Sequence, residues 1–473
     1  MCTIAHRGPN GSGLHEGPHH TLGHVRLSII DLESGAQPMS GPNGRSHIVF
    51  NGEIYNHLDL RKQLAGRSFH TRSDTEVILR LYEQNHGRHP NRLDGMFAYA
   101  IEEGPRLTLA RDPLGIKPLY LGRRDGATVF ASEIKAVLAV SEEVIEFPAG
   151  HVYTPETGLR RYYDLAPRET DIKDADIACA GLCQRLDAAV RKRMLADVPV
   201  GVFLSGGLDS SLIAAISRLS KDPLDTFAVG TEDSVDLERA REVAAFLGTR
   251  HHERLYSLDQ ALEALPQVIY HLESFDCALV RSAIPNFFLA ELASKHVKVA
   301  LSGEGADELF AGYDYLKALP RKELPRELVD ITKALHNTNL QRCDRMSMAH
   351  GLEVRVPFLD VGLVSYAFRI ATELKLTAKD QTEKWVLRKA AQPLLPQSIV
   401  WRKKEKFASG AGLGDRLARV AEGRISDSEL AAEKATAPEV GLRSKEELMY
   451  YRIFREQYPV GKLLPLTGRS RSV

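Results

Sequence analysis

The stretch VGVFLSGGLDSS, residues 200–211, constrains this chain more than any other. An apolar strand runs straight into a Gly-Gly turn, and a helix begins near Ser211. Further along come DTFAVG, LERAREVAAFLG and VKVALSG, so strands and helices alternate. That alternation predicts a parallel sheet with helices on both faces, and puts the loop at the carboxyl end of a strand. Two glycines let the backbone turn and expose successive N–H groups, and the helix N-terminus adds partial positive charge. Such a loop cradles phosphate, although an ordinary Gly-rich strand-to-helix turn has the same letters. It lacks the Gly-Lys-Ser/Thr ending of a Walker A loop and the spacing of a dinucleotide loop. Asp209 would repel phosphate unless a cation stood between them, which implies Mg²⁺. A second loop, SGEGADELFAGY at 302–313, repeats the arrangement with Glu304 and Asp307; its plainer reading is a capped helix start.

Beyond about residue 315 the pattern is mainly helical. The first third is different: HIVFNGEIY, MFAYAIEEGPRLTLARD and KPLYLGRRDGATVFAS are short β-type runs separated by turns. One helix, SDTEVILRLYEQ, is interposed, with Ser73 and Glu76 at capping-box spacing. The polar stretch DLAPRETDIKDAD, 164–176, separates the two textures. The expected organisation is an α+β domain over 1–165, an α/β domain with a helical C-terminal part over 178–460, and a loose tail, 461–473.

The 62 basic residues balance 62 acidic ones, which removes the electrostatic case for nucleic acid or an anionic membrane as partner. No apolar run approaches the ~20 residues of a membrane span, and no signal peptide is recognisable. The five cysteines, at 2, 179, 183, 277 and 343, form no disulfide framework, so the expected compartment is the cytoplasm. Cys179 and Cys183 stand one helical turn apart and are expected to pack. The histidine pairs at 19–20 and 251–252 have no partners at zinc spacing and read as surface or structural.

SGGLDSS resembles the signature of the ATP pyrophosphatases, and together with SGEGADELFAGY it resembles the glutamine-hydrolysing asparagine synthetases. HRGPNGSG, RLSIIDLESGAQPM, NGEIYN, SDTEVIL, LDGMFAYAI, ARDPLGIKPLY, RMSMAHGLEVRVPFLD and WRKKEKF agree, in the family's order, from residue 6 to about 410. The resemblance implies an N-terminal-nucleophile (Ntn) hydrolase-like sandwich that releases ammonia from glutamine. It also implies an ATP-pyrophosphatase domain that converts aspartate to asparagine through a β-aspartyl-adenylate, forming AMP and pyrophosphate. The cofactors are ATP and Mg²⁺; a homodimer is left open.

By this resemblance Ser205, Gly206 and Ser210 belong to the pyrophosphate loop, and Leu204, Val229, Ser302 and Gly303 frame the nucleotide. Asp209 and Asp307 hold magnesium, Lys404 meets the phosphates, and Glu304 lies beside the acyl centre. Arg281 pairs the acceptor's carboxylate. Ahead of it the family usually carries hydroxyls, where this chain has Ala278 and Leu279. That departure keeps a different acceptor open, as in β-lactam synthetases or peptide and sugar amidotransferases. A non-catalytic nucleotide-binding protein is the alternative of another class.

In the first domain Asn51 and Gly52 match the oxyanion hole, Arg26 and Asp74 hold glutamine's α-carboxylate and α-amino group, and Glu53 lines the same pocket. Cys2 matches the nucleophile by count from the start, its own α-amine acting as base once Met1 is removed. Only Thr3, Ile4 and Ala5 separate it from His6, whereas the family places a strand and a helix there. Glutaminase activity and use of free ammonium alone are both open on this reading.

Overall fold

Buried apolar faces decide the layering of the N-terminal part. Strands β1 (Gly11–Glu16) and β2 (Thr21–Arg26) form a separate hairpin. A six-stranded antiparallel sheet contains β3 (Met39–Ser40), β4 (Ser46–Ile54), β5 (Gly95–Glu103), β6 (Arg106–Arg111), β10 (His151–Thr154) and β11 (Gly158–Arg161). Its order is β11-β10-β6-β5-β4-β3, and β7 (Tyr120–Arg124), β8 (Ala127–Ala131) and β9 (Ile145–Glu146) form a smaller sheet. β5 is buried on both faces: Phe97, Tyr99 and Ile101 pack beneath the helix Asp74–Asn85, while Ala98 and Ala100 join Leu22 of β2 and Phe147. In the computed structural model, residues 1–64, 66–85, 89–377, 380–402 and 412–471 are described.

The second part holds β12 (Val200–Phe203), β13 (Asp225–Gly230), β14 (Arg250–Leu255), β15 (Val299–Leu301) and β16 (Glu353–Arg355), in the order β14-β13-β12-β15-β16. Every pairing is parallel, as the alternation of strands and helices required. β12 and β13 are buried at every residue, including Asp225 and Thr226 at the start of β13, as central strands of a parallel sheet are. The chain leaves β12 toward β13 and returns on its other side as β15. The sheet's direction of winding therefore reverses between these strands, where open α/β sheets bind ligands.

Two local expectations are corrected. Ser73 accepts from Thr75, but Glu76 reaches the N–H groups of His70 and Thr71 and pairs with Arg80 at 2.7 Å, so no capping box forms. The tail is not loose where it is described. Helical turns cover Val460–Leu463 and Leu464–Leu466, and Ser470 donates to Asp276 from both its amide, at 3.0 Å, and its hydroxyl, at 2.9 Å. The cause is a buried carboxylate that needs donors, which a strand-and-helix reading of the tail does not register. Of the two cysteines expected to pack, Cys179 lies against the core while Cys183 is exposed, and each thiol donates to a carbonyl of the helix Trp385–Ala391.

The two parts meet through charge. Glu273, fully buried, accepts the backbone N–H groups of Ile134 and Lys135 and pairs with Lys135 and Arg345, both at 3.0 Å. Asp344 pairs with Arg7 at 2.8 Å and Lys117 at 3.7 Å, and Arg355 with Glu53 at 3.2 Å and Glu353 at 2.9 Å. Each buried charge has an opposite neighbour across or along the interface, without which burial would be prohibitive.

Candidate active site

The loops that follow β12 and β15 lie against each other. Gly206 takes φ +68° and sits so close to the helix Val235–Leu247 that a Cβ would stand 2.5 Å from Arg239; only glycine fits. A Cβ on Gly303 would meet that of Asp209 at 2.9 Å, so the second loop packs on the first. Ser210 braces the turn: its hydroxyl accepts from the Ser205 amide at 3.2 Å and lies 3.1 Å from the Ser205 hydroxyl. The helix Leu208–Arg218 then points its N-terminus into the crevice.

Asp209 and Asp307 converge. Both carboxylates meet the Lys384 ammonium, at 2.6 and 2.5 Å, and the pair raises the lysine's pKa despite its burial. Sequence reasoning missed Lys384, since nothing in TEKWVLRKA marks it. Glu304 pairs with Arg342 at 2.5 Å, and Arg342 also donates to Asn286. Beside them Glu308 is buried and accepts from Tyr313 at 2.5 Å and Asn339 at 3.2 Å; burial and the neighbouring Asp307 push its carboxyl up to about 7.

These groups line one cavity of about 420 Å³, the size of a small-molecule site. Leu204, Ser205, Asp209, Ser210, Val229, Ser302, Gly303, Glu304 and Asp307 all border it, as do Ala278, Leu279 and Arg281. Gly206 forms the turn behind the lining. Arg281 is not free for a ligand as expected: it forms a two-pronged pair with Glu446, with Nε at 2.7 Å from one oxygen. The tail residues Arg469, Ser470 and Arg471 close the same end of the cavity. Lys404 lies outside the described residues.

In the N-terminal part Asn51 and Gly52 sit within β4, not in a hairpin turn. Gly52 has φ +142°, and a Cβ there would lie 1.9 Å from the Met96 carbonyl oxygen. Asn51 donates to the Ser132 hydroxyl at 3.4 Å. Asp74 accepts from Ile54 and Thr75, both at 2.9 Å, and Arg26 holds the carbonyl oxygens of Ile30, Asp31 and Leu32. Asp31 in turn accepts from the Arg72 amide at 2.7 Å, which draws the Arg26 loop toward Asp74. Glu53 is turned to Arg355, and burial with Asp74 nearby raises its carboxyl. Cys2 is exposed at the head of a 3-10 helix, Cys2–Arg7, in the short entry that stands where the family places a strand and a helix. That helix is fixed by His6 and Arg7 to Glu133, at 3.1 and 2.9 Å, next to Ser132. No bond joins the Cys2 thiol to Asn51 among the described residues.

The model of a glutamine amidotransferase domain matches residues 1–159, and that of asparagine synthase matches residues 181–330 and 318–460. A probable glutamine-hydrolysing asparagine synthetase of Schizosaccharomyces pombe is 40% identical over 96% of this chain and 89% of its own length. The chain belongs to the glutamine-hydrolysing asparagine synthetases. Asparagine synthetase B of Escherichia coli is 39% identical, with 97% of this chain and 87% of that protein aligned. An Arabidopsis thaliana asparagine synthetase gives 40% over 96% of this chain and 83% of its own. As an asparagine synthetase, the chain is an ATP-using carbon–nitrogen ligase with an amidotransferase domain ahead of a parallel-sheet synthetase domain. No helix among the described residues is long and apolar enough to cross a membrane.

Proposed function

We propose that the cavity binds ATP and aspartate side by side and joins them, and that ammonia then completes the amide. The observation that carries this reading is the convergence of Asp209, Asp307 and Lys384 in a cavity that Glu304 and Arg281 also line. The aspartate β-carboxylate attacks the α-phosphorus, pyrophosphate leaves, and ammonia displaces AMP from the acyl carbon. Loop amides and Lys384 offset charge on the departing pyrophosphate. Lys404 would add to this from outside the described residues.

Asp209 and Asp307, side by side around Lys384, form a pair of hard-oxygen donors, the ligand type that Mg²⁺ takes. Asp209 and Asp307 would hold it, and it would neutralise the triphosphate. The Ntn sandwich is the reading for the first domain: Cys2, freed of Met1, attacks the glutamine amide, and Asn51 with the Gly52 amide receives the oxyanion. Arg26, Asp74 and Glu53 hold the amino-acid end. Five free cysteines agree with a reducing compartment such as the cytoplasm.

The test uses the purified full chain with ATP, Mg²⁺ and aspartate, and supplies nitrogen as glutamine in one series and ammonium in the other. AMP and asparagine are expected in both, and Cys2→Ala removes the product only from the glutamine series. Asparagine from ammonium alone in the unaltered chain would sink the Cys2 assignment. Neither AMP nor asparagine in either series would sink aspartate as acceptor.

A further inference from the structure

We propose a metal site, separate from the synthetase cavity, built by His15, His47 and Glu102 for one borderline divalent ion of the Zn²⁺ class. His47 on β4 and Glu102 on β5 are directly opposed across the strands. His15 comes from β1 of the separate hairpin and stacks on His47 with ring centres 3.5 Å apart. Both rings address the same oxygen: His47 Nδ1 lies 2.5 Å from Glu102 Oε1, and His15 Nε2 lies 3.1 Å from it. The three ligand atoms fall within 4.8 Å of one another. Around a tetrahedral ion with bonds of about 2.0 Å, such atoms stand ~3.3 Å apart, so small side-chain movements suffice.

Charge supplies a second, independent reason. Glu102 is only 3% exposed, yet among the described residues no lysine or arginine pairs with it. A buried carboxylate needs a cation, and the two imidazoles that reach it would complete a mixed nitrogen–oxygen set around one. That set suits zinc and its neighbours; Mg²⁺ and Ca²⁺ prefer oxygen alone. Gly17 borders the cluster on the hairpin side: a Cβ there would stand 3.2 Å from the His20 carbonyl oxygen, 3.3 Å from His15 Nε2 and 3.8 Å from Glu102 Oε2. The partly exposed His15 is the way in.

The ion would tie the β1–β2 hairpin, which ends at Arg26, to β4, which carries Asn51 and Gly52. The full-length protein is stripped with a chelator, returned to saturating Mg²⁺, and titrated with Zn²⁺ alone or Co²⁺ alone. We expect one tightly held ion per chain and the visible absorption of tetrahedral Co²⁺. His15→Ala, at a partly exposed position that the fold tolerates, should weaken binding by about 10²-fold or more. A His19→Ala/His20→Ala double variant should bind as the unaltered chain does. Absence of a tight ion in the unaltered chain overturns the proposal, and so does an affinity that His15→Ala leaves unchanged. Because Mg²⁺ is present throughout, a result at Asp209 and Asp307 cannot be mistaken for this site.

Discussion

Glu308 lines the cavity with Glu304 and Asp307 and responds to pH. Its carboxyl titrates at about 7 in the folded protein, against 4.5 ordinarily, because it is buried beside Asp307. Between those values the folded state keeps a proton that the unfolded state releases, so stability falls as pH rises through the window. The difference amounts to about 3 kcal/mol once pH exceeds the folded value. Glu308→Gln still accepts from Tyr313 and Asn339 but cannot ionise. Urea unfolding should therefore show the variant matching the parent near pH 4.5 and exceeding it by about 3 kcal/mol at pH 8. A constant difference across that range would mean Glu308 is ionised throughout. Residues of this kind show where a sequence stops informing. Asp209 and Asp307 were legible because loop and strand are local, and local geometry fixes their place. Lys384 was not, because its role exists only where a distant segment crosses the sheet edge.

The C-terminal segment makes the same point for elements. GKLLPLTGRSRSV has no periodicity and reads as loose, yet Ser470 and Arg469 fasten it to Asp276 and Glu447. Asp276 also caps the helix Cys277–Ser294, which carries Arg281, through the Leu279 amide at 3.0 Å. The tail therefore braces the helix that carries Arg281, the residue we propose for the acceptor's carboxylate. Deleting residues 467–473 should raise KM for aspartate about tenfold, a loss of ~1.4 kcal/mol, and leave KM for ATP within about twofold. Equal changes in both constants would show that the tail merely supports the fold. The parallel sheet was legible as an element pattern, since the apolar stretches of β12, β13 and β15 alternate with helices, whereas the polar edge strands β14 and β16 carry no such signal. The antiparallel layers were legible only as strands, because their order depends on which faces meet.

For the whole molecule the decisive feature is the charged seam. Glu273 ends the helix Leu258–Leu272 in a left-handed turn, φ +59°, and that turn aims its carboxylate across the boundary. It holds two backbone amides and Lys135 of the first part, and Arg345 of its own, with no solvent to share the load. Glu273→Gln keeps the shape but offers a single acceptor oxygen and leaves Arg345 and Lys135 undercompensated. Breaking a buried pair from one side costs about 3–5 kcal/mol. For units of 150–250 residues that corresponds to a fall in Tm of about 6–20 °C, readable by calorimetry. A second consequence separates coupling from bulk stability. Below the lowered Tm, ammonium-dependent synthesis should persist, because the bonds of Glu273 run to Ile134, Lys135 and Arg345, none of which lines the cavity. Glutamine-dependent synthesis should fall several-fold further, since ammonia must pass from one part to the other while they stay in register. If both nitrogen sources lost activity in proportion, the seam would be a matter of stability alone; a fall confined to glutamine would make Glu273 the residue through which the halves hold their alignment.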